Sequence, residues 1–324
     1  MYTLHHDTEA FRTLITQISL EQSTAPEIIE KDYYVTLILQ EIAEKQKEYE
    51  VFFKGGTALY KALKSINRFS EDIDLTFNDQ KFESPTSKKR ALKMVTSKYL
   101  SSLLDPDAED SVSGSGSRTS IYTYPTLFEL DTFKNDTLSR IGRLKVETTS
   151  FTTSSPIADY EIEPVLYTYA NEEFKKLLEL NYEVKPFMIR CVTIERIFVD
   201  KLFAIEDYYL GENANRAVEM AKHMYDIHQL YMLQDIKKFM ESFDELRTII
   251  EIKKEEQTRR REAKTVDKKI VQFEYFGWIQ DDMIEETFNN MQRIYVFQTD
   301  SNVEFNDVRN SFKHIFEKIK TFNL

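Results

Sequence analysis

Residues 51–77 read VFFKGGTALYKALKSINRFSEDIDLTF, and this stretch decides the fold. A run with strand character, Tyr49 to Phe53, is broken by Gly55-Gly56, after which residues 57–66 return to helical period. From Ile73 to Phe77, apolar Ile73, Leu75 and Phe77 alternate with Asp72, Asp74 and Thr76. Residues i and i+2 of a strand point the same way, so Asp72 and Asp74 project side by side. Two carboxylates so close repel each other unless a cation neutralises them. Mg²⁺ (or Mn²⁺) suits such a pair, because it takes one or two carboxylates and completes its shell with water and substrate phosphates. Two such ions can activate the attacking oxygen and stabilise the leaving one in phosphoryl transfer. At the helix start, backbone N–H groups freed of side chains at Gly55 and Gly56 form a phosphate cradle, to which Thr57 adds a hydroxyl. Alone, the glycine pair reads more readily as a plain strand-to-helix turn, and the aspartates as an acidic strand end facing solvent. Together, in this order, they point to a site that handles phosphates.

Working outward, residues 8–24 and 26–47 form two amphipathic helices, the second opened by Pro26 at a favoured first-turn position. Residues 86–104 read as a helix and 105–120 (DPDAEDSVSGSGSRTS) as a loop. Strands are expected at 121–131, 143–151 and 161–167, and helices at 171–180, 190–210, 213–233 and on to the end. The expected class is α+β, with a nucleotide-handling mixed-sheet core at 51–168. A helical lead at 1–50 precedes it and a helical half at 169–324 follows. With 324 residues, about 100–200 per domain favours two domains or one with a large appendage.

The composition bounds the function. A hydrophobic share of 41% with 23 Phe and 18 Tyr supports a large core and excludes general disorder. No apolar run reaches the roughly 18–20 residues of a membrane span, and no signal-peptide core opens the chain. The single Cys191 can form neither an internal disulfide nor a multi-cysteine zinc site, so a cytoplasmic location without membrane contact is expected. A net charge of −12 argues against a general nucleic-acid coat, yet permits contact with one RNA end through a local basic patch.

The order strand, glycine pair, helix, aspartate pair resembles the nucleotidyltransferase fold of DNA polymerase β and its relatives, which often use a third carboxylate on a neighbouring strand. Glu147 in Arg143-Leu144-Lys145-Val146-Glu147-Thr148 is the candidate, since it shares a strand face with Lys145; a solvated strand residue is its alternative reading. More narrowly, Phe53-Lys54-Gly55-Gly56-Thr57-Ala58-Leu59 followed by Arg68-Phe69-Ser70-Glu71-Asp72-Ile73-Asp74-Leu75 resembles the AbiEii/MenT-type nucleotidyltransferase toxins of type IV toxin–antitoxin and abortive-infection systems. Blocks at Glu30-Lys31-Asp32-Tyr33-Tyr34-Val35, Glu195–Ala204 and Lys222–Ile227 extend the likeness over about residues 28–230. The resemblance implies that Lys201 and Asp226 act with the aspartate strand, that Ser70 helps bind the nucleotide, and that His223 departs from the family's usual Asp.

Lys201 also stands out by itself. It shares a helical stripe with Ile194, Ile197, Phe198, Ala204 and Ile205, so its ammonium must either snorkel or meet a fixed anion such as a triphosphate. Asp226 could pair with Lys222 one turn earlier, although that cation-first order is the weaker one. Lys31 and Asp32 interrupt another apolar stripe and need partners. The run 253–269 holds eight Lys/Arg against four Asp/Glu, a phosphate-contacting patch or a solvated helix. Trp278, Phe273, Tyr275 and Phe276 read as core.

These residues describe an enzyme that binds NTP·Mg²⁺ and transfers NMP to an acceptor hydroxyl. Asp72, Asp74 and Glu147 would hold metal, Gly55, Gly56, Thr57 and Ser70 the nucleotide, and Lys201 the triphosphate charge. The resemblance implies an RNA acceptor, the 3′ end of tRNA, and a separate antitoxin; a monomer is expected. The rival readings are a phosphotransferase that modifies a protein or small molecule, and a non-catalytic interaction protein keeping the fold.

Overall fold

The computed structural model describes residues 1–64, 66–70, 72–98, 103–105, 111–114, 116–128, 141–152, 155–211, 216–260, 263–279, 282–296 and 302–324. The chain forms two compact units: Met1–Ala62 with Glu71–Cys191, and Leu63–Ser70 with Val192–Leu324.

Unit 1 is α+β. Helix α1 (Thr8–Gln22) starts where the Asp7 side chain accepts from the Ala10 N–H at 3.1 Å, and α2 (Pro26–Lys45) starts on its proline. Helix α2 is buried almost all round, including Glu30, Lys31 and Asp32, so it is a core helix. Strand β1 (Val51–Lys54) leads directly into α3 (Gly55–Lys61), followed by β2 (Ile73–Phe77) and α4 (Pro85–Ser97). Then come β3 (Leu104–Asp105), β4 (Val112–Ser113), β5 (Ser117–Thr123), β6 (Arg143–Thr149), β7 (Ile157–Ile162), α5 (Val165–Tyr169), α6 (Glu172–Tyr182) and β8 (Phe187–Val192).

The sheet runs β3-β5-β6-β2-β1-β8-β7, with β4 on β5. Strand β2 lies antiparallel to β1 and parallel to β6, so the sheet is mixed and the aspartate strand sits at its centre. The buried Ile73, Leu75 and Phe77 of β2 fill the core side.

Several expected bounds move. The helix expected over 190–210 splits into β8 and α7 (Ile194–Tyr209), because Cys191 pairs parallel with Phe53 of β1. The strand expected at 161–167 is β7 followed by α5, and β5 begins inside the expected 105–120 loop. Positions 99–102, 106–110, 115, 129–131 and 213–215 of the expected elements lie outside the described residues.

The interruption of the apolar stripe at Asp32 is explained within unit 1. Its carboxylate accepts from Lys61 Nζ at 2.8 and 3.0 Å and from the Val165 N–H at 2.6 Å, while the same ammonium donates to the Glu163 carbonyl at 2.7 Å. One buried pair thus ties α2, α3 and the start of α5 together.

Unit 2 is helical among the described residues: α7, α8 (Arg216–Met232), α9 (Gln234–Glu241), α10 (Phe243–Thr258), α11 (Tyr275–Trp278), α12 (Asp282–Tyr295) and α13 (Phe305–Phe322). The segment Leu63–Ser70 joins it through a β-bridge between Arg68 and Val296 and a 2.8 Å bond from the Phe69 N–H to the Tyr295 carbonyl. Phe273, Tyr275 and Phe276 are buried, as a core role requires. Three cations of the basic run pair with acids of the unit: Lys253 with Asp200 and Glu256, Arg260 with Asp207, and Lys268 with Glu206 and Glu274, while 261–262 lie outside the described residues. No described helix is long and apolar enough to cross a membrane.

Lys61→Met should leave the buried Asp32 carboxylate without its cation, a loss on the order of 3–5 kcal/mol. Urea unfolding should show it as a lower midpoint; an unchanged midpoint would show that the pair anchors nothing.

Candidate functional site

The acidic site of unit 1 is built by sheet register. Parallel pairing sets Asp74 of β2 opposite Glu147 of β6, and antiparallel pairing sets Lys54 of β1 opposite Asp74. Asp72 stands immediately before β2. The structure therefore brings Asp72, Asp74 and Glu147 to one place, together with a cation that sequence reading had only placed on the same strand face. Lys145 Nζ lies 3.0 Å from Glu147 Oε2 and 3.9 Å from Asp72 Oδ2.

The electrostatics follow from that crowding. Asp74 is pushed up to about 7, first by burial, then by the Glu147 charge, with Asp72 adding to it against the relief from Lys54 and Lys145. Burial disfavours the charge on Lys145, yet the Glu147 and Asp72 carboxylates outweigh it and hold the ammonium above the ordinary lysine range.

Gly55 begins α3 with a φ of +81°, and a Cβ there would stand 2.3 Å from Asp74 Oδ2. Glycine is required twice over, for its backbone angle and for the approach of the aspartate. Gly56 is buried in the first turn of α3. Thr57 is fully buried and its hydroxyl donates to the Asp72 carbonyl, locking the helix to the strand end. Ser70 is half-buried and ends the Leu63–Ser70 segment of unit 2.

The donor set bears on a metal. No group of three His, Cys, Asp or Glu side chains among the described residues is arranged to hold an ion. Asp72 and Asp74 nevertheless fit Mg²⁺ as a two-carboxylate site, the kind that is completed by water and phosphate rather than by an all-protein cage.

Unit 2 holds a second charged cluster. Asp226 is fully buried and receives Arg68 in a bidentate fork, Nε to Oδ1 at 2.6 Å and Nη2 to Oδ2 at 2.7 Å. Lys201 Nζ reaches Asp226 Oδ2 at 2.7 Å, so the buried ammonium has a fixed anion in its own unit. Lys222 pairs with Glu219 and lies over the Tyr295 ring, rather than with Asp226. Burial and the neighbouring Lys201 hold His223 well below its ordinary value, so its ring is neutral and Nδ1 accepts from Lys201 at 3.4 Å. Arg68, which sequence reading did not single out for a role, is the other half of this cluster. A lone arginine in a polar loop carries no periodic signal, and its partner lies 158 residues away.

A family model for the nucleotidyl transferase AbiEii toxin of type IV toxin–antitoxin systems matches residues 37–302. The chain belongs to this family. No individual curated protein matches it. The AbiEii match runs from within α2 through both units and covers every site residue named above, which makes the chain a member of a nucleotidyltransferase toxin family.

Asp226 supplies a pH test. Burial opposes its charge, but Arg68 and Lys201 overcome that and hold the carboxyl at about 2. A depressed folded pKa adds stability above the unfolded value of 3.8, and this is lost as pH falls toward 2. At about 1.4 kcal/mol per unit, the loss is roughly 2–3 kcal/mol. Wild-type stability measured from pH 5 to pH 2 should fall steeply below 4. Asp226→Asn should be less stable at pH 7 and show a shallower acid slope. Parallel curves would contradict the assignment.

Proposed function

We propose that this AbiEii member is a Mg²⁺-dependent nucleotidyltransferase that moves NMP from an NTP to an acceptor hydroxyl on RNA, at the 3′ end of tRNA. The single observation behind this reading is the convergence of Asp72, Asp74 and Glu147 from two adjoining strands beside a glycine turn that leaves room for Asp74. Nothing in a purely structural role calls for three carboxylates together; like charges destabilise a sheet.

In this reading Asp72 and Asp74 hold the metal, and Glu147 stands beside them to deprotonate the acceptor. Bound there, Mg²⁺ would neutralise phosphate charge and lower the pKa of an oxygen nucleophile. The acceptor oxygen forms a bond to the α-phosphorus as the α–β phosphoanhydride bond breaks, and pyrophosphate leaves with that electron pair. Glu147 takes the hydroxyl proton. Gly55 and Gly56 offer backbone N–H groups to the β- and γ-phosphates; Thr57 holds the helix that presents them, and Ser70 adds a hydroxyl for the nucleotide. Lys201 and Asp226, paired within unit 2, take the part in transfer that the family resemblance implies for them. The type IV family implies an antitoxin, and growth should slow when the toxin is made without it.

Pure protein incubated with each labelled NTP, Mg²⁺ and total RNA should label RNA, and Asp72→Asn or Asp74→Asn should abolish the signal. Because Asp74 is raised to about 7, its ionisation weakens the metal-free fold as pH rises from 3.8 through 7. Asp74→Asn should therefore melt no lower than wild type at pH 8 without metal, while losing the stabilisation that Mg²⁺ with NTP gives wild type. Full transfer by either variant, or transfer that survives EDTA, would sink the mechanism. Equal growth of cells expressing wild type and Asp74→Ala at equal levels would remove the toxicity.

A further inference from the structure

We infer that Lys145 is a built-in counter-ion that takes the place of a divalent cation in the nucleotide-free site, so that metal binds well only together with nucleotide. This rests on the proposed function, since it concerns the same carboxylates.

The geometry carries it. Lys145 and Glu147 share one face of β6, and the ammonium meets Glu147 at 3.0 Å and Asp72 at 3.9 Å, with Asp74 beside Glu147 in register. The β5 residues paired with Glu147 and Lys145 are Thr119 and Ile121, which bring no charge. On the other side, β1 brings Lys54 opposite Asp74. Among the described residues, Asp72, Asp74 and Glu147 stand with Lys54 and Lys145, and Lys145 lies between Asp72 and Glu147.

A bare trio of carboxylates would repel and would also collect free metal. A tethered ammonium removes both outcomes, since it compensates the charge and competes for the same oxygens. Lys145 is about one-third exposed, so its flexible stem can withdraw without opening the core. An arriving NTP·Mg²⁺ brings a dication to replace it and phosphates for the released ammonium to face.

The test is Mn²⁺ binding followed by the paramagnetic signal of the free ion, with and without a non-hydrolysable NTP analogue. Wild type should bind Mn²⁺ weakly alone and at least about tenfold more tightly with the analogue. Lys145→Met and Lys145→Gln should bind Mn²⁺ alone about tenfold more tightly than wild type and melt lower without metal, with Mn²⁺ restoring the melt. Lys145→Arg, which keeps the charge, should behave as wild type. Equal Mn²⁺ affinity in wild type and both neutral variants would overturn the role of Lys145 and leave the metal site standing. No Mn²⁺ bound by any protein, with or without the analogue, would overturn the proposed function and this inference with it.

Discussion

Like charge on adjoining strands is the constraint around which the sheet of unit 1 is arranged. Parallel pairing of β2 with β6 puts Asp74 against Glu147, and Asp72 stands next to both. Cations among the oxygens offset that repulsion. Lys145 supplies one directly, and Lys54 adds a second from the other side. Even so, Asp74 stays strained toward its neutral form. Gly55 leaves the space that its carboxylate occupies, and Thr57 fixes the strand end that carries Asp72. A site that is unstable in its own charges is well suited to a ligand that brings opposite charge.

Unit 2 handles charge in the opposite sense. Two cations, Arg68 and Lys201, share the one buried carboxylate of Asp226, and a neutral His223 completes the shell. Elsewhere in the same unit, Arg196 with Asp200 and Glu256 is a buried network joining α7 to α10. It also takes in Lys253, the first cation of the basic run.

What could be read from sequence was what depends on local period. The alternation at 73–77 gave β2 correctly, the pattern at 143–149 placed Lys145 and Glu147 on one face, and Pro26 marked the start of α2. What could not be read depends on distant partners. Strand β8 runs into α7 without a glycine or proline between them, and pairing with β1 and β7 sets the two elements apart. The start of β5 is hidden in a serine- and glycine-rich stretch, because its order comes from β6. Asp32 announced a need for a partner, but nothing local named Lys61. Lys201 announced a need for an anion, and the structure pairs it with Asp226, which lies too far along the chain for any local pattern to name.

The central claim is that Asp72 and Asp74, at the start of β2, hold the divalent cation of a nucleoside triphosphate. Its most direct test is a crystal of the protein with Mn²⁺ and a non-hydrolysable NTP, examined by anomalous scattering at the manganese edge. The account predicts a peak with Asp72 and Asp74 oxygens at roughly 2.0–2.3 Å and with triphosphate oxygens completing the shell. A nucleotide bound with its manganese away from both aspartates would contradict it.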